Sequence, residues 1–191
     1  MFLYRTLVHK NIVRPGEILY LYDQTCAGMK QQAHQFYYSE FRHIDELSDQ
    51  QAELVKKATE AAGNAYAPYS NYRVGAALRL EDGTIITGNN QENAAYPSGM
   101  CAERTALFYA GANHPEMAVT SIAVVAFRGG KVQEEPVTPC GGCRQVLWEK
   151  EWLGKTPMEV ILYGASKIQV IQSARDLFPL PFLLKGSGGS D

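Results

Sequence analysis

The stretch PSGMCAERTALFYAG, residues 97–111, reads as the mouth of a helix. Pro97 and Gly99 break the chain, after which Ala102, Ala106, Leu107 and Ala110 recur at helical spacing. The first turn carries Cys101 and, two residues on, Glu103. A second helix opens on PCGGC (139–143), which places Cys140 and Cys143 at its mouth, and continues as CRQVLWEK. Between the helices VTSIAVVAF (119–127) is a nearly continuous apolar run, as expected of a strand covered on both faces, and MEVILYG (158–164) supplies another. Upstream, Tyr72, Val74, Ala76, Leu78 and Leu80 alternate up to a turn at Asp82-Gly83, and Ile85 and Ile86 resume beyond it, the pattern of a β-hairpin. Before the hairpin, Ser48 and Gln51 form a capping-box signature, with Leu54, Val55, Ala58, Ala61, Ala62 and Ala65 on one apolar face behind it. This order of elements predicts an α/β layer with right-handed crossovers, preceded by an antiparallel hairpin.

The chain has 191 residues, 46% of them apolar, which suits one globular domain plus a short appendage. Lysine and arginine (18) nearly balance aspartate and glutamate (20). That excludes the basic surplus that captures polyphosphate backbones and favours a small, weakly charged ligand. Four cysteines, three of them in short Gly-containing motifs, point to metal-binding or catalytic thiols in a reducing cytoplasm. The opening MFLYRTLVHK is too short and too interrupted by charge to span a membrane, and its charges follow the apolar residues, the reverse of a secretory signal. The closing KGSGGSD reads as a flexible tail, and Met29 is a plausible alternative start. No internal repeat or second domain is visible.

Two crossover helices on one sheet face can bring their N-termini together at the carboxyl ends of the strands. Cys101, Cys140 and Cys143 would then converge where the helix dipoles favour thiolates. Zn²⁺ accepts three such ligands in a catalytic site and keeps a fourth position for water. Each motif alone admits a plainer reading: a redox Cys-x-x-Cys, a buried small thiol, or a closed structural zinc site completed by Cys26 or by one of His9, His34, His43 and His114. None of these has metal-site spacing to the trio, and a structural site has no use for Glu103 one step inside the helix.

Three thiols with a non-ligand glutamate are a constellation of the zinc deaminases. The motifs APYSNYRVGAAL, NNQENAAYPSGMCAERTAL, PCGGCRQV and DLFPLPF, in that order across roughly residues 45–182, resemble the cytidine deaminases of the free-nucleoside type. The resemblance implies an α/β three-layer fold with a mixed five-stranded sheet flanked by helices, and one Zn²⁺ per chain. It implies hydrolysis of cytidine and deoxycytidine to the uracil nucleosides and ammonia, a step of pyrimidine salvage. Glu103 would take a proton from zinc-activated water and deliver protons to N3 and the departing amino group. Three thiolates around a divalent ion leave a net negative charge. The resemblance gives the offset to Arg104, hydrogen-bonded to the thiolates, with Arg144 able to share the role.

The resemblance also assigns substrate contacts. Asn90 and Glu92 stand where the family binds the ribose 3′-hydroxyl, and Ala102 lies between a ligand and the acid/base. Tyr72 stands at a ring-contacting aromatic where many members have phenylalanine. Phe182 would reach a neighbouring subunit's site, so a homo-oligomer is expected, a tetramer ahead of a dimer. The expected partner is a small nucleoside, with neither nucleic acid nor membrane. A polynucleotide-editing deaminase would call for a histidine ligand and a basic channel, which the sequence lacks. A deaminase of a related aminopyrimidine nucleoside antibiotic is the alternative, ahead of a structural zinc module. The resulting division is an N-terminal extension at 1–44, a deaminase domain at 45–184 and a tail at 185–191.

Overall fold

Ser48 caps the first helix as its sequence requires. Its Oγ accepts from Gln51 N at 3.3 Å, and its own N–H donates to Gln51 Oε1 at 3.0 Å. The computed structural model describes residues 33–184, and a compact unit begins at His34. Cys26, Met29, His9 and the 185–191 tail lie outside the described residues.

Strands β1 (Tyr38–Phe41), β2 (Tyr72–Leu80), β3 (Ile85–Asn89), β4 (Val119–Arg128), β5 (Lys131–Val132), β6 (Glu159–Tyr163) and β7 (Ile168–Ile171) form one sheet. The helices are α1 (Asp49–Ala62), α2 (Ala102–Asn113) and α3 (Gly141–Gly154). Strand order is β1-β7-β6-β4-β2-β3, with the short β5 paired to β4. Strands β4 and β6 pair in parallel and every other pairing is antiparallel, so the sheet is mixed.

The sheet's period of two separates two cores. Ala76, Leu78 and Leu80 of β2, Ile122 and Val124 of β4, and Val160 and Leu162 of β6 pack with Ala102, Ala106, Leu107 and Ala110 of α2 and Leu147 of α3. The intervening Ala77, Ala123, Val125 and Ile161 turn to the other face and meet Leu54, Val55 and Ala58 of α1. Helix, sheet and helix pair make the three layers expected. β4 is buried on both faces, as its unbroken apolar run implies.

Seven strands replace the five expected, because β1 and β5 add to the sheet. Residues 38–41 fall within the 1–44 extension read from the sequence, yet Tyr38, Ser39, Glu40 and Phe41 pair antiparallel with Ile171, Val170, Gln169 and Ile168. Three of these four side chains are exposed, so no alternation of apolar and polar residues marks the strand in the sequence. Its backbone instead covers the edge of β7.

Gly88 decides where α2 sits. A Cβ there would come within 2.5 Å of Ala106 N and 2.6 Å of Ala102 O, both backbone atoms of the helix. The absent side chain lets α2 lie directly on β3. Among the described residues no helix is long and apolar enough to cross a membrane.

Candidate active site

Both β3 and β4 run antiparallel to β2, hence parallel to each other, and α2 and α3 follow them in the chain. Both helices therefore begin at the carboxyl ends of the strands and on one face of the sheet. The connection into α2 is closed by a reciprocal pair of hydrogen bonds between Gln91 and Met100, at 2.9 and 2.8 Å, which delivers Cys101 as the N-cap residue. Cys140 is the N-cap of α3, and Cys143 lies in its first turn, fully buried. Neither N-cap sulfur caps its helix, and both face the other thiols.

Cys101 Sγ lies 3.9 Å from Cys140 Sγ, which lies 3.5 Å from Cys143 Sγ, and all three sulfurs fall within 4.8 Å of one another. Bonds of about 2.3 Å at tetrahedral angles separate thiolates by roughly 3.8 Å, so the trio fits a single Zn²⁺ with a fourth position to spare. All three cysteines are free. A hydrogen bond from the Cys143 thiol, helped by the Arg104 guanidinium, pulls Cys101 down to about 5. The same proton is held more tightly on Cys143, whose pKa is raised. Cys101 thus gives up its proton readily, and a divalent cation would displace the one held on Cys143.

Glu103, in the first turn of α2, is only 5% exposed, and burial followed by the nearby Cys101 charge raises its carboxyl above the usual range. Arg104 Nη2 donates to Cys101 Sγ at 3.5 Å. Its Nε is the one buried side-chain nitrogen or oxygen without a hydrogen-bond partner among the described residues. Arg144 lies elsewhere: Nε donates to Pro139 O at 2.8 Å and Nη1 to Leu177 O at 3.4 Å. It holds the carbonyl preceding Cys140 rather than a sulfur.

These groups border a cavity of about 660 Å³, within the range of small-molecule sites. Cys101, Cys140, Glu103, Arg104, Ala102, Asn90, Glu92 and Tyr72 all line it. Asn90 is pinned by β2, with Oδ1 accepting from Val74 N at 2.7 Å and Nδ2 donating to Tyr72 O at 2.9 Å. One Glu92 oxygen accepts from the N–H groups of Tyr69 and Ser70, at 2.9 and 3.3 Å, and hydrogen bonding from Ser70 keeps its carboxyl below the usual range. Phe182 is 68% exposed and does not line this cavity. Sequence reading passed over Ser70, Val74, Val124 and Thr138, which also form the wall. Only Thr138 carried a signal, its position two residues before Cys140.

Residues 48–155 match the family model of the cytidine and deoxycytidylate deaminase zinc-binding region, a stretch that contains all three thiols and Glu103. The chain belongs to this deaminase family. It is 50% identical over 96 residues to a cytidine deaminase of Halalkalibacterium halodurans, which is 50% of this chain and 68% of that relative. A cytidine deaminase of Mycobacterium tuberculosis is 41% identical over 99 residues, again 50% of this chain and 68% of the relative. The crystal structure of the cytidine deaminase from Burkholderia pseudomallei matches with a TM-score of 0.59 at 44% identity, covering 68% of this chain and 97% of that one. The deaminase family's zinc-binding character agrees with the three-sulfur cluster found here.

Proposed function

We propose that this chain hydrolyses the 4-amino group of cytidine and deoxycytidine, with Zn²⁺ held by Cys101, Cys140 and Cys143 and with Glu103 as the proton carrier. The observation that carries the proposal is a buried carboxylate beside three converging thiols, two of which, Cys101 and Cys140, line one cavity of nucleoside size. Bound there, Zn²⁺ supplies the Lewis acidity that makes water a competent nucleophile near neutral pH. Glu103 accepts the proton that water loses and passes it to N3 as the oxygen adds at C4; it then takes the proton of the hydroxyl now on C4 and gives it to the amino group, which leaves as the C4 carbonyl forms. One water is consumed and one ammonia released. Burial serves this exchange, since a carboxyl shielded from solvent keeps its proton for the substrate.

Asn90 and Glu92 bind the sugar. Asn90 has one amide hydrogen and one acceptor site left after its two bonds to β2, and Glu92 keeps its second oxygen. Together they suit a hydroxyl, which both donates and accepts. Glu92 and Glu103 also make the cavity unfavourable to a phosphate, which selects a nucleoside over a nucleotide or a polynucleotide. Arg104 offsets the negative charge of the thiolates, Tyr72 and Ala102 form part of the wall against the substrate, and Arg144 steadies the loop before Cys140.

The working unit is the 45–184 domain with the strand at 38–41 added to its edge, acting in a reducing cytoplasm in pyrimidine salvage. It is a homo-oligomer, a tetramer ahead of a dimer, in which Phe182 enters a neighbour's site. The exposed run of Leu180, Phe182 and Leu183, at 89%, 68% and 48%, supports this, since a monomer gains nothing by showing it to water.

Glu103→Gln tests the mechanism. It preserves size and hydrogen bonding but cannot carry protons. Zinc content and fold should persist while cytidine turnover falls by at least the roughly 10²–10⁴-fold typical of general acid/base loss. Near wild-type turnover would sink the mechanism, and loss of zinc would make Glu103 a ligand instead.

A further inference from the structure

The chain after β7 is fastened along one stripe of α3. Glu151, only 5% exposed, accepts from Ser173 Oγ at 2.7 Å and from Arg175 N at 3.4 Å. The Arg175 guanidinium lies 5.0 Å from the Trp148 ring centroid. Arg144 Nη1 donates to Leu177 O. Last, Gln145 brackets Phe182: Phe182 N donates to Gln145 Oε1 at 2.8 Å, and Gln145 Nε2 donates to Phe182 O at 2.9 Å. As the segment advances from 173 to 182, its partners on the helix fall from 151 through 148 to 144 and 145. It therefore runs antiparallel to α3 and arrives at the turn that carries Cys143.

We propose that Gln145 is a positioning residue whose side-chain amide, by bonding both backbone groups of Phe182, aims the Phe182 ring out of its own subunit and into the substrate cavity of a neighbouring copy. The inference rests on the trans role of Phe182 proposed above and adds the device that sets it. Pro179 and Pro181 carry no N–H, so the segment cannot fix itself by ordinary strand pairing, and the Gln145 amide supplies the two bonds a strand neighbour would make. A primary amide does this best, since only Asn and Gln present a donor and an acceptor side by side. Gln145 stands two residues beyond Cys143, so the helix that carries two of the thiols also sets the reach of the substrate-contacting ring. Metal and aromatic contact are thereby held in one register although they serve different subunits.

Kinetics on Gln145→Ala, Phe182→Ala, the double variant and Gln145→Glu test this, with zinc content and Tm measured on each. Gln145 is half-buried on the helix surface, so its replacement should leave the fold intact. Losing two ordinary hydrogen bonds should raise KM for cytidine about tenfold in Gln145→Ala, with kcat and zinc close to wild type. Gln145→Glu keeps the acceptor and loses the donor, and should fall between the two. The double variant should be no worse than Phe182→Ala alone, because Gln145 acts through that ring. If Phe182→Ala raises KM while Gln145→Ala does not, the positioning role is wrong and the trans role stands. Additive losses, or zinc loss in Gln145→Ala, would show that Gln145 acts on something other than Phe182 and would overturn the proposal. If both single variants match wild type in KM and assembly state, the trans role falls and takes the inference with it.

Discussion

Cys101, Cys140 and Cys143 differ sharply in exposure, from intermediate through exposed to fully buried, yet their sulfurs meet within 4.8 Å. A shared ion, rather than local packing, gives such unlike positions a common requirement. Cys101→Ala, Cys140→Ala and Cys143→Ala should each lose zinc and cytidine turnover together, while Cys26→Ala should keep both, as metal analysis beside an ammonia assay would show. Retention of zinc by any of the three would break the three-thiolate account, and zinc loss from Cys26→Ala would restore a closed four-ligand site. Arg144 belongs to the same scale. On the sequence it could share Arg104's role at the thiolates, but its guanidinium donates to the carbonyls of Pro139 and Leu177. Residue type and spacing could not tell those destinations apart, because a guanidinium fork satisfies carbonyls as readily as sulfur.

Among the elements, α2 carries both Cys101 and Glu103, and its seat on β3 depends on the missing side chain at Gly88. Gly88→Ala places a Cβ against the backbone at Ala102 and Ala106, which can yield only if the helix moves. The expected loss is about 1–3 kcal/mol from overpacking, with turnover falling further than stability because Cys101 and Glu103 ride on the shifted turn. Thermal unfolding and kcat on the one variant measure both. An unchanged Tm and kcat would mean that α2 tolerates a wider separation. The capping box at Ser48, the hairpin turn at Asp82-Gly83 and the buried strand β4 were all legible in advance, since each rests on a local pattern. β5 and β7, of two and four residues, were not, because runs that short carry no periodicity.

For the whole molecule, the sheet ends where β1 lies over β7. Lys167, at the turn before β7, binds Glu40 of β1 at 3.7 Å and Glu135 of the loop leading to Cys140 at 2.9 Å. A chain begun at Met29 retains β1 and should fold and deaminate cytidine with little change. A chain begun at Leu47 loses β1, uncovers the edge of β7 and should unfold several degrees lower and aggregate more readily, while still turning over cytidine. Scanning calorimetry with light scattering on the two truncations would decide it. Equal behaviour of both would mean that β1 contributes nothing to the sheet it extends.

The amino-acid sequence by itself determined the layers and the chemistry. Helical and strand periods are written in the spacing of apolar residues, and three cysteines with a non-ligand glutamate beside them are a matter of residue type and local offset. Only the tertiary structure decided which carbonyls Arg144 would serve, that an exposed tetrapeptide would become the outermost strand, and that Gln145 would hold Phe182. Apart from the Arg144–Pro139 bond, these are contacts between residues 33 to 133 positions apart, and all are made through backbone groups that every residue possesses, so no side-chain pattern announces them.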